Sequence, residues 1–299
     1  MAPRSCHRLA LIICCLPAAV AAQRPLKVYI SADMEGIAGV VTSEQLGPSG
    51  FEYERARQFM TGEVNAAIQG ARDAGATQIV VSDSHGNGQN ILIDQLPNDV
   101  TLIRSWPRPL MMMEGIDSTF DAVLFIGYHA STANVNGVRA HTMSSATLAG
   151  VALNGTQMPE GGLNAAIAGQ FGVPVVMISG DDAALEEVRH FTGPIEGAQV
   201  KRAISFHAAA TMTPKAAQDL VRQRAKAGVE RRSAFRPFRL GTHIALELTF
   251  KNYRAAEIVA YLPGIVRVTS DTIRFVGRDI LEISRFMEFL NTYQADLTP

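Results

Sequence analysis

Cysteine is nearly absent from this sequence, and its position excludes thiol chemistry from the folded protein. The chain of 299 residues has three cysteines, all within the first 15 positions. Because that segment has the pattern of a cleaved leader, the remaining chain has neither a disulfide nor a thiolate ligand. Any metal ion must then be held by histidine and carboxylate side chains.

An excess of charge of either sign is also missing. There are 27 Lys and Arg against 28 Asp and Glu, a net charge of -1 that becomes -3 once Arg4 and Arg8 leave with the leader. A mildly acidic chain gives no electrostatic reason to bind nucleic acid or an anionic membrane. At 47% hydrophobic residues, the chain is able to bury a large core.

Residues 1–22 have the pattern of a secretory signal peptide. Arg4 and Arg8 form a basic start, Leu9 to Val20 form an apolar run, and small residues follow. The apolar run is too short to span a bilayer, which needs about 20 residues. We therefore expect cleavage after Ala22, no membrane attachment of the mature chain, and a periplasmic or secreted protein.

Residues 23–193 alternate between apolar runs and amphipathic segments. The predicted elements are a strand at Lys27–Ala32, a helix at Glu54–Ala74, strands at Gln78–Ser82 and Ala122–Tyr128, a helix at Gly162–Phe171, a strand at Val173–Ser179 and a helix that ends at His190. Strands that alternate with helices predict an α/β domain with a mostly parallel central sheet and helices on both faces. Continuous apolar runs fit strands that are buried on both sides.

Residues 194–299 have a different pattern and predict a smaller α+β domain, to which we assign oligomer contacts. Strands are expected at Val200–Phe206, Thr242–Phe250 and Thr269–Phe275, helices at Pro214–Ala227 and Ile280–Leu290, and an Arg-rich loop at Glu230–Leu240. Residues 23–193 are expected to form the metal-binding catalytic domain.

Three successive predicted strands end in side chains that bind metals. The first runs into Asp33 and Glu35, the second into His85 and the third into His129. In open α/β sheets, ligands bind beyond the carboxyl ends of the strands, so these side chains are expected to share one space. If the chain stayed extended past the first strand, Asp33 and Glu35 would face the same side.

Glu160 is a further candidate ligand, directly before the predicted helix. Together the candidates are two histidines and three carboxylates without a thiolate, a set that suits Zn²⁺ or another borderline divalent ion. Five candidates exceed the three protein ligands that one catalytic zinc takes, which predicts two metal ions that share a carboxylate. Asp33, at the end of the central strand, is the expected bridge.

His141 lies in a polar loop, Ser131–Ser145, a short distance after His129. Loops over strand ends commonly carry catalytic groups, and imidazole titrates near neutral pH. His141 is therefore the candidate acid, base or nucleophile beside the metal ions. The alternative is a histidine that merely lies at the surface.

Several short motifs follow one another in the order and spacing of a known family. The first is Ser31–Ile37, which contains the pattern Ser-x-Asp-x-Glu-Gly. The others are Tyr53–Arg55, Asp83–His85, Glu114–Gly115, Gly127–His129, Glu160 with Gly162–Ala165, Gly180–Asp182, Val200–Ile204 and Leu262–Gly264. In these motifs the chain resembles the zinc-dependent D-aminopeptidases of the DppA type, and the resemblance extends over essentially the whole mature chain.

The resemblance implies a site, a reaction and an assembly. It implies that two Zn²⁺ ions are held by Asp33, Glu35, His85, His129 and Glu160, with His141 as the catalytic histidine. It further implies release of N-terminal D-residues, notably D-Ala, from short peptides. The same resemblance implies a homo-oligomer, a ring-like decamer that encloses its active sites. A leader would place this member outside the cytoplasm, near peptidoglycan fragments rich in D-Ala.

Two other interpretations use the same residues. A two-metal phosphoesterase needs similar ligands, but no glycine-rich phosphate loop or Lys/Arg clamp accompanies the strand ends. A non-catalytic periplasmic peptide-binding protein would not need a complete ligand set together with His141. Release of phosphate from a generic ester would favour the first, and saturable peptide binding without product would favour the second.

Overall fold

The computed structural model describes Ala2 and residues 24–293. Apart from Ala2, the predicted signal peptide lies outside the described residues. The strands are β1 (Lys27–Ala32), β2 (Gln78–Asp83), β3 (Val100–Ile103), β4 (Ala122–Tyr128), β5 (Leu148–Leu153), β6 (Thr156–Gln157), β7 (Val175–Asp181), β8 (Glu196–Ser205), β9 (Ala208–Thr211), β10 (Ile244–Phe250), β11 (Ile265–Arg267) and β12 (Thr272–Gly277). The helices are α1 (Tyr53–Asp73), α2 (Glu160–Gln170), α3 (Asp182–Thr192), α4 (Pro214–Glu230), α5 (Tyr253–Val259) and α6 (Ile280–Thr292). None of the described helices is both long and apolar enough to cross a membrane.

The larger sheet has seven strands in the order β3-β2-β1-β4-β7-β8-β9. Neighbouring strands pair in parallel except β8 and β9, which form an antiparallel edge. Apolar residues of α1 and α4 pack on one face, and those of α2 and α3 pack on the other. This arrangement confirms the predicted α/β class with a mostly parallel sheet and helices on both faces.

The central strands supply side chains to two separate cores. Val28 and Ile30 of β1 belong to the core that contains α1 and α4, whereas Tyr29 belongs to the core on the opposite face. Side chains alternate across a strand, so apolar residues at consecutive positions are buried only where both faces are covered. Full burial of one such side chain contributes about 1.5–3 kcal/mol to the free energy of unfolding.

A second sheet is antiparallel and has the strand order β11-β12-β10-β5-β6. Its apolar residues, together with those of α2 and α6, form the same core as Tyr29. The two sheets exchange strands across the predicted domain boundary. β5 and β6 precede residue 193 but lie in the second sheet, whereas β8 and β9 follow it and lie in the first. Each sheet therefore contains strands from both sides of that boundary. The division into two domains at residue 193 stays a prediction.

Candidate metal centre

The candidate metal centre lies at the carboxyl ends of three neighbouring parallel strands. Asp33 and Glu35 follow β1, His85 follows β2 and His129 is the first residue after β4. Glu160, from the start of α2, joins them, and none of the five residues is more than 6% exposed. The structure thus brings together all the ligands that were predicted from the strand ends.

Asp33 lies between two histidines. Its Oδ1 is 3.2 Å from Nδ1 of His85, and its Oδ2 is 3.2 Å from Nε2 of His129. Oε2 of Glu35 lies 2.8 Å from the same nitrogen of His85, and Oε2 of Glu160 lies 3.3 Å from that of His129. Each histidine therefore faces one oxygen of Asp33 and one further carboxylate.

Each histidine of the site donates one ring N–H to a backbone carbonyl. These bonds run from His85 Nε2 to Leu46, from His129 Nδ1 to Ala130 and from His141 Nδ1 to Arg139, over 2.8, 2.9 and 2.8 Å. A carbonyl only accepts, so the bonded nitrogen carries the hydrogen and leaves the other nitrogen able to bind a metal. In all three residues, that other nitrogen faces the carboxylates.

The carboxylates and histidines of the centre shift one another's pKa. Burial raises the pKa of Asp33, and the charge of Glu35 raises it further. Burial also acts to raise the pKa of Glu35, but the adjacent His85 outweighs it and holds that pKa well below its ordinary value. Burial acts to lower the pKa of His85 and His129, yet the carboxylates hold both well above the ordinary value. Buried carboxylates need positive charge beside them, which protonated histidines or divalent cations supply.

The unpartnered polar atoms of the centre and the spacing of its ligand atoms suit metal ions. Three buried atoms of the centre have no hydrogen-bond partner among the described residues: Oδ2 of Asp33, Oε2 of Glu35 and Nε2 of His129. Unpartnered buried polar atoms are rare in folded proteins. Ligand atoms lie within 4.8 Å of one another in two sets, Asp33-Glu35-His129 and His129-His141-Glu160. Carboxylate oxygens with imidazole nitrogens suit Zn²⁺.

His141 lies at the outer side of the centre. Its ring stacks on that of His129, and its side chain is 14% exposed against 1% for His129. Its Nε2 lies 4.0 Å from Glu35 and 3.8 Å from Glu160. These distances allow His141 either to carry a proton or to serve as a further ligand, so its predicted catalytic role stays a prediction.

Two glycines let the backbone after β1 touch the end of β4. A Cβ on Gly36 would lie 2.1 Å from the carbonyl oxygen of Tyr128, and one on Gly127 would lie 2.2 Å from that of Asp33. The N–H of Gly36 donates to Gly127 over 2.7 Å. The chain turns as soon as β1 ends, and this turn brings the side chains of Asp33 and Glu35 together. The extended backbone that the sequence suggested for these residues is not present.

Glu160 is the first residue of α2, whereas the sequence predicted a helix that begins two residues later. Consecutive glycines disfavour a helix, which explains the later prediction. In the folded protein, Gly161 is required by packing, because a Cβ there would lie 2.4 Å from the side chain of Val188 on α3. The carboxylate of Glu160 also accepts the N–H of Met143 over 2.7 Å, which links it to the loop of His141.

Lys201 lies beside the centre, and the sequence pattern did not predict a role for it. It lies on β8, is only 2% exposed, and donates through Nζ to the backbone carbonyls of Glu35, Ile37 and Val40. Burial lowers the pKa of this lysine to about 8, although Asp181 acts to raise it. The signal available in the sequence was a lysine within a predicted strand, Val200–Phe206. Lys201 fixes the turn that carries two of the candidate ligands.

The centre opens into a cavity of about 650 Å³. The cavity is lined by residues of the centre and by residues of the second sheet, α5 and α6. The apolar residues among the latter include Leu248, Phe250, Val259 and Met287. Ligand-binding clefts commonly have volumes of roughly 300–1,000 Å³ and walls that are mostly apolar. The second sheet therefore forms the wall of a cavity that is large enough for a short peptide.

A buried set of oxygen and imidazole ligands beside a peptide-sized cavity is characteristic of the metal-dependent hydrolases, and this protein is one of that class. Its family follows from comparison with known sequences. The model of the peptidase M55 family, described as D-aminopeptidase, matches residues 26–289, and the chain belongs to that family.

Similar proteins of known name agree with this assignment. A D-aminopeptidase of Bacillus subtilis (strain 168) is 34% identical over 266 residues, which cover 88% of this chain and 95% of the relative. A solved structure, the Zn-dependent D-aminopeptidase DppA from Bacillus subtilis, described as a self-compartmentalizing protease, has a TM-score of 0.86 and 32% identity. The match covers 91% of this chain and 100% of that one. The predicted resemblance and the prediction of a peptide hydrolase are both confirmed.

Proposed function

We propose that this protein is an aminopeptidase that binds two Zn²⁺ ions per subunit and releases N-terminal D-residues, D-Ala foremost, from short peptides. The observation that carries the proposal is the position of Asp33, whose two carboxylate oxygens face two different histidines. With Glu35 and His85 it would hold one ion, and with His129 and Glu160 the other. The zinc dependence stated for DppA supports the choice of metal.

The protein side chains have separate tasks in this reaction. Zinc, when bound, polarises a peptide carbonyl and lowers the pKa of a water molecule toward neutrality. Glu35 and Glu160 line the cavity, and each would hold a zinc ion there together with a histidine and Asp33. His141 holds a proton at Nε2 or transfers it to the leaving amine, since its Nδ1 is engaged with a backbone carbonyl.

The preference for D-residues and the preference for short peptides have different support. Membership of the D-aminopeptidase family supports the stereochemistry. The cavity supports a short substrate, because its volume of about 650 Å³ lies within the range of small-ligand sites.

We also propose that the protein assembles into a homo-oligomer, with a ring-like decamer as the expected form. DppA is described as self-compartmentalizing, which requires several subunits. Exposed apolar side chains are concentrated on α5, on the segment that follows it and on the outer strands of the second sheet, as expected for a subunit interface. They include Tyr253, Ile258, Tyr261 and Val266, which are 52% to 79% exposed. Sedimentation analysis showing a monomer at micromolar concentration would contradict this proposal.

The location outside the cytoplasm rests on the signal-peptide pattern of residues 1–22. There, peptidoglycan fragments would supply peptides rich in D-Ala. A deletion strain should then turn over such peptides more slowly than its parent. Unchanged turnover would count against this source of substrate.

The function is tested with the chain from Gln23 onward, loaded with zinc. Cleavage of D-Ala-D-Ala is compared with cleavage of L-Ala-L-Ala, with and without a chelator. We expect cleavage of the D-dipeptide alone, abolished by the chelator, in protein that contains two zinc ions per chain. Cleavage of the L-dipeptide instead would support a metal-dependent peptidase but contradict the preference for D-residues. Cleavage of neither would reject D-Ala dipeptides as substrates.

A further inference from the structure

The cavity beside the candidate metal centre contains one permanently cationic side chain, Arg139, among the residues that line it. Its Nε is buried and has no hydrogen-bond partner in the part of the chain that the structure describes. Nor is it among the ion pairs formed by the described residues. A guanidinium that lines a cavity and has no anionic partner there is a candidate binding group for an anion.

Arg139 is held in place by its backbone and by its side chain. Its N–H donates to the carbonyl of Phe206 over 3.1 Å, and its guanidinium carbon lies 4.9 Å from the centre of the Phe206 ring. Its own carbonyl accepts the Nδ1–H of His141. The φ of Arg139 is 55°, a left-handed value that residues other than glycine adopt only when their surroundings impose it. The guanidinium therefore has a defined position relative to His141.

We infer that Arg139 binds the free C-terminal carboxylate of a short peptide whose N-terminal residue lies at the candidate metal centre. The inference rests on the proposed function and adds the chemical class of substrate. A dipeptide has a positive charge at one end and a negative charge at the other. Its N-terminal end would lie at the metal centre, and a guanidinium binds a carboxylate through two parallel hydrogen bonds. Arg139 thus selects peptides that end soon after the first residue.

A different role for Arg139 makes a different prediction. If its charge served only to offset the acidic residues, or to stabilise the carbonyl oxygen during cleavage, then its loss would affect all substrates alike. A carboxylate-binding role affects only substrates with a free C-terminus. A dipeptide and its C-terminal amide differ in this one group, so together they separate the two roles.

The kinetic experiment measures kcat and KM for D-Ala-D-Ala and for D-Ala-D-Ala amide. Wild-type protein should prefer the acid. Arg139→Gln should lower kcat/KM for the acid about tenfold to a hundredfold, mainly through KM, and for the amide by less than about twofold. Arg139→Lys should keep part of the preference, since it retains a charge but not the planar fork. Arg202→Gln is the matched control, because Arg202 is exposed and does not line the cavity.

A binding experiment keeps the inference separate from the proposed function. Calorimetry on the zinc-loaded protein uses the reduced-bond analogue of D-Ala-D-Ala, in which a CH₂–NH group replaces the peptide bond, and its C-terminal amide. Tighter binding of the acid that Arg139→Gln abolishes would support the inference even if wild-type protein hydrolysed neither dipeptide. Equal losses for acid and amide in Arg139→Gln, or no difference between acid and amide in wild-type protein, would overturn it.

Discussion

The imidazole ring of His141 lies flat against that of His129, with ring centroids 4.1 Å apart and an angle of 9° between the planes. Both rings donate from Nδ1 to a backbone carbonyl, so both direct Nε2 toward carboxylates. They differ in burial, because the His129 side chain is 1% exposed and that of His141 is 14% exposed. We therefore expect the inner ring to hold a metal ion and the outer ring to exchange a proton with a substrate.

Replacement of His141 with alanine should lower kcat by ~10²–10⁴, because positioned acid–base catalysis contributes about that factor. Zinc content, measured by elemental analysis, should remain at the wild-type value. His243→Ala provides the control, since His243 is exposed and does not line the cavity. Loss of one zinc ion from the His141 variant would instead identify His141 as a ligand.

Asp33 should be the residue whose loss affects both metal ions. Its two oxygens face His85 and His129 separately, so Asp33→Ala should remove both zinc ions, whereas His85→Ala should remove one. The stoichiometry is measured after dialysis against a fixed concentration of free zinc. Asp219→Ala, at an exposed carboxylate, should leave it unchanged. An Asp33 variant that kept one ion at wild-type affinity would exclude the bridging role.

The sequence predicted which candidate ligands the fold brings together, because strand ends are local signals. An apolar run followed by Asp33, His85 or His129 identifies both the strand and the edge at which it ends, and parallel pairing brings such edges together. The cavity wall was not predicted, because β5 and β10 pair only after the chain has returned across about a hundred residues. Lys201 was not assigned a role for a similar reason. Its three acceptors are backbone carbonyls distant in sequence, and carbonyls are present at every residue.

Gly127 should not tolerate alanine. Its φ is +71°, and an added Cβ would lie 2.2 Å from the carbonyl oxygen of Asp33. We expect Gly127→Ala to lower the free energy of unfolding by about 2–4 kcal/mol and to weaken zinc binding, because the turn that carries Asp33 must move. Gly75→Ala is the matched control, since Gly75 also has a positive φ, +93°, but has open space around it. The control should cost about 1–2 kcal/mol from backbone strain alone and leave zinc binding unchanged. Equal effects of the two variants in chemical denaturation and zinc titration would show that the close approach is unimportant.

Lys201→Met should destabilise the protein and weaken zinc binding together. The ammonium group donates to the carbonyls of Glu35, Ile37 and Val40, and its removal leaves those of Glu35 and Val40 without a donor among the described residues. We expect a loss of roughly 3 kcal/mol or more in the free energy of unfolding, with a weaker zinc affinity. Lys215→Met removes an exposed lysine from α4 and should change neither quantity appreciably. Wild-type zinc affinity in the Lys201 variant would show that the turn keeps its shape without the lysine.

The stability of the protein should depend on pH through Glu63. Burial raises the pKa of this carboxyl from 4.5 to about 7, although the N–H of Ala38 donates to it and acts to lower the pKa. The folded state therefore binds this proton more tightly than the unfolded state does. The stabilisation is complete below about pH 4.5 and is lost as the pH rises to about 7, a change on the order of 3 kcal/mol.

Glu63→Gln should remove that dependence, because the amide keeps an oxygen for Ala38 and has no ionisable group. Urea unfolding of zinc-loaded protein between pH 5 and pH 8 should show the variant gaining stability relative to wild type as the pH rises. Zinc release in acid affects both proteins, so the difference between them isolates Glu63. Glu44→Gln, at an exposed carboxyl, should show no such trend. A constant difference between the Glu63 variant and wild type across this range would mean that the carboxyl is already ionised at pH 5. The pKa in the folded protein would then not be raised.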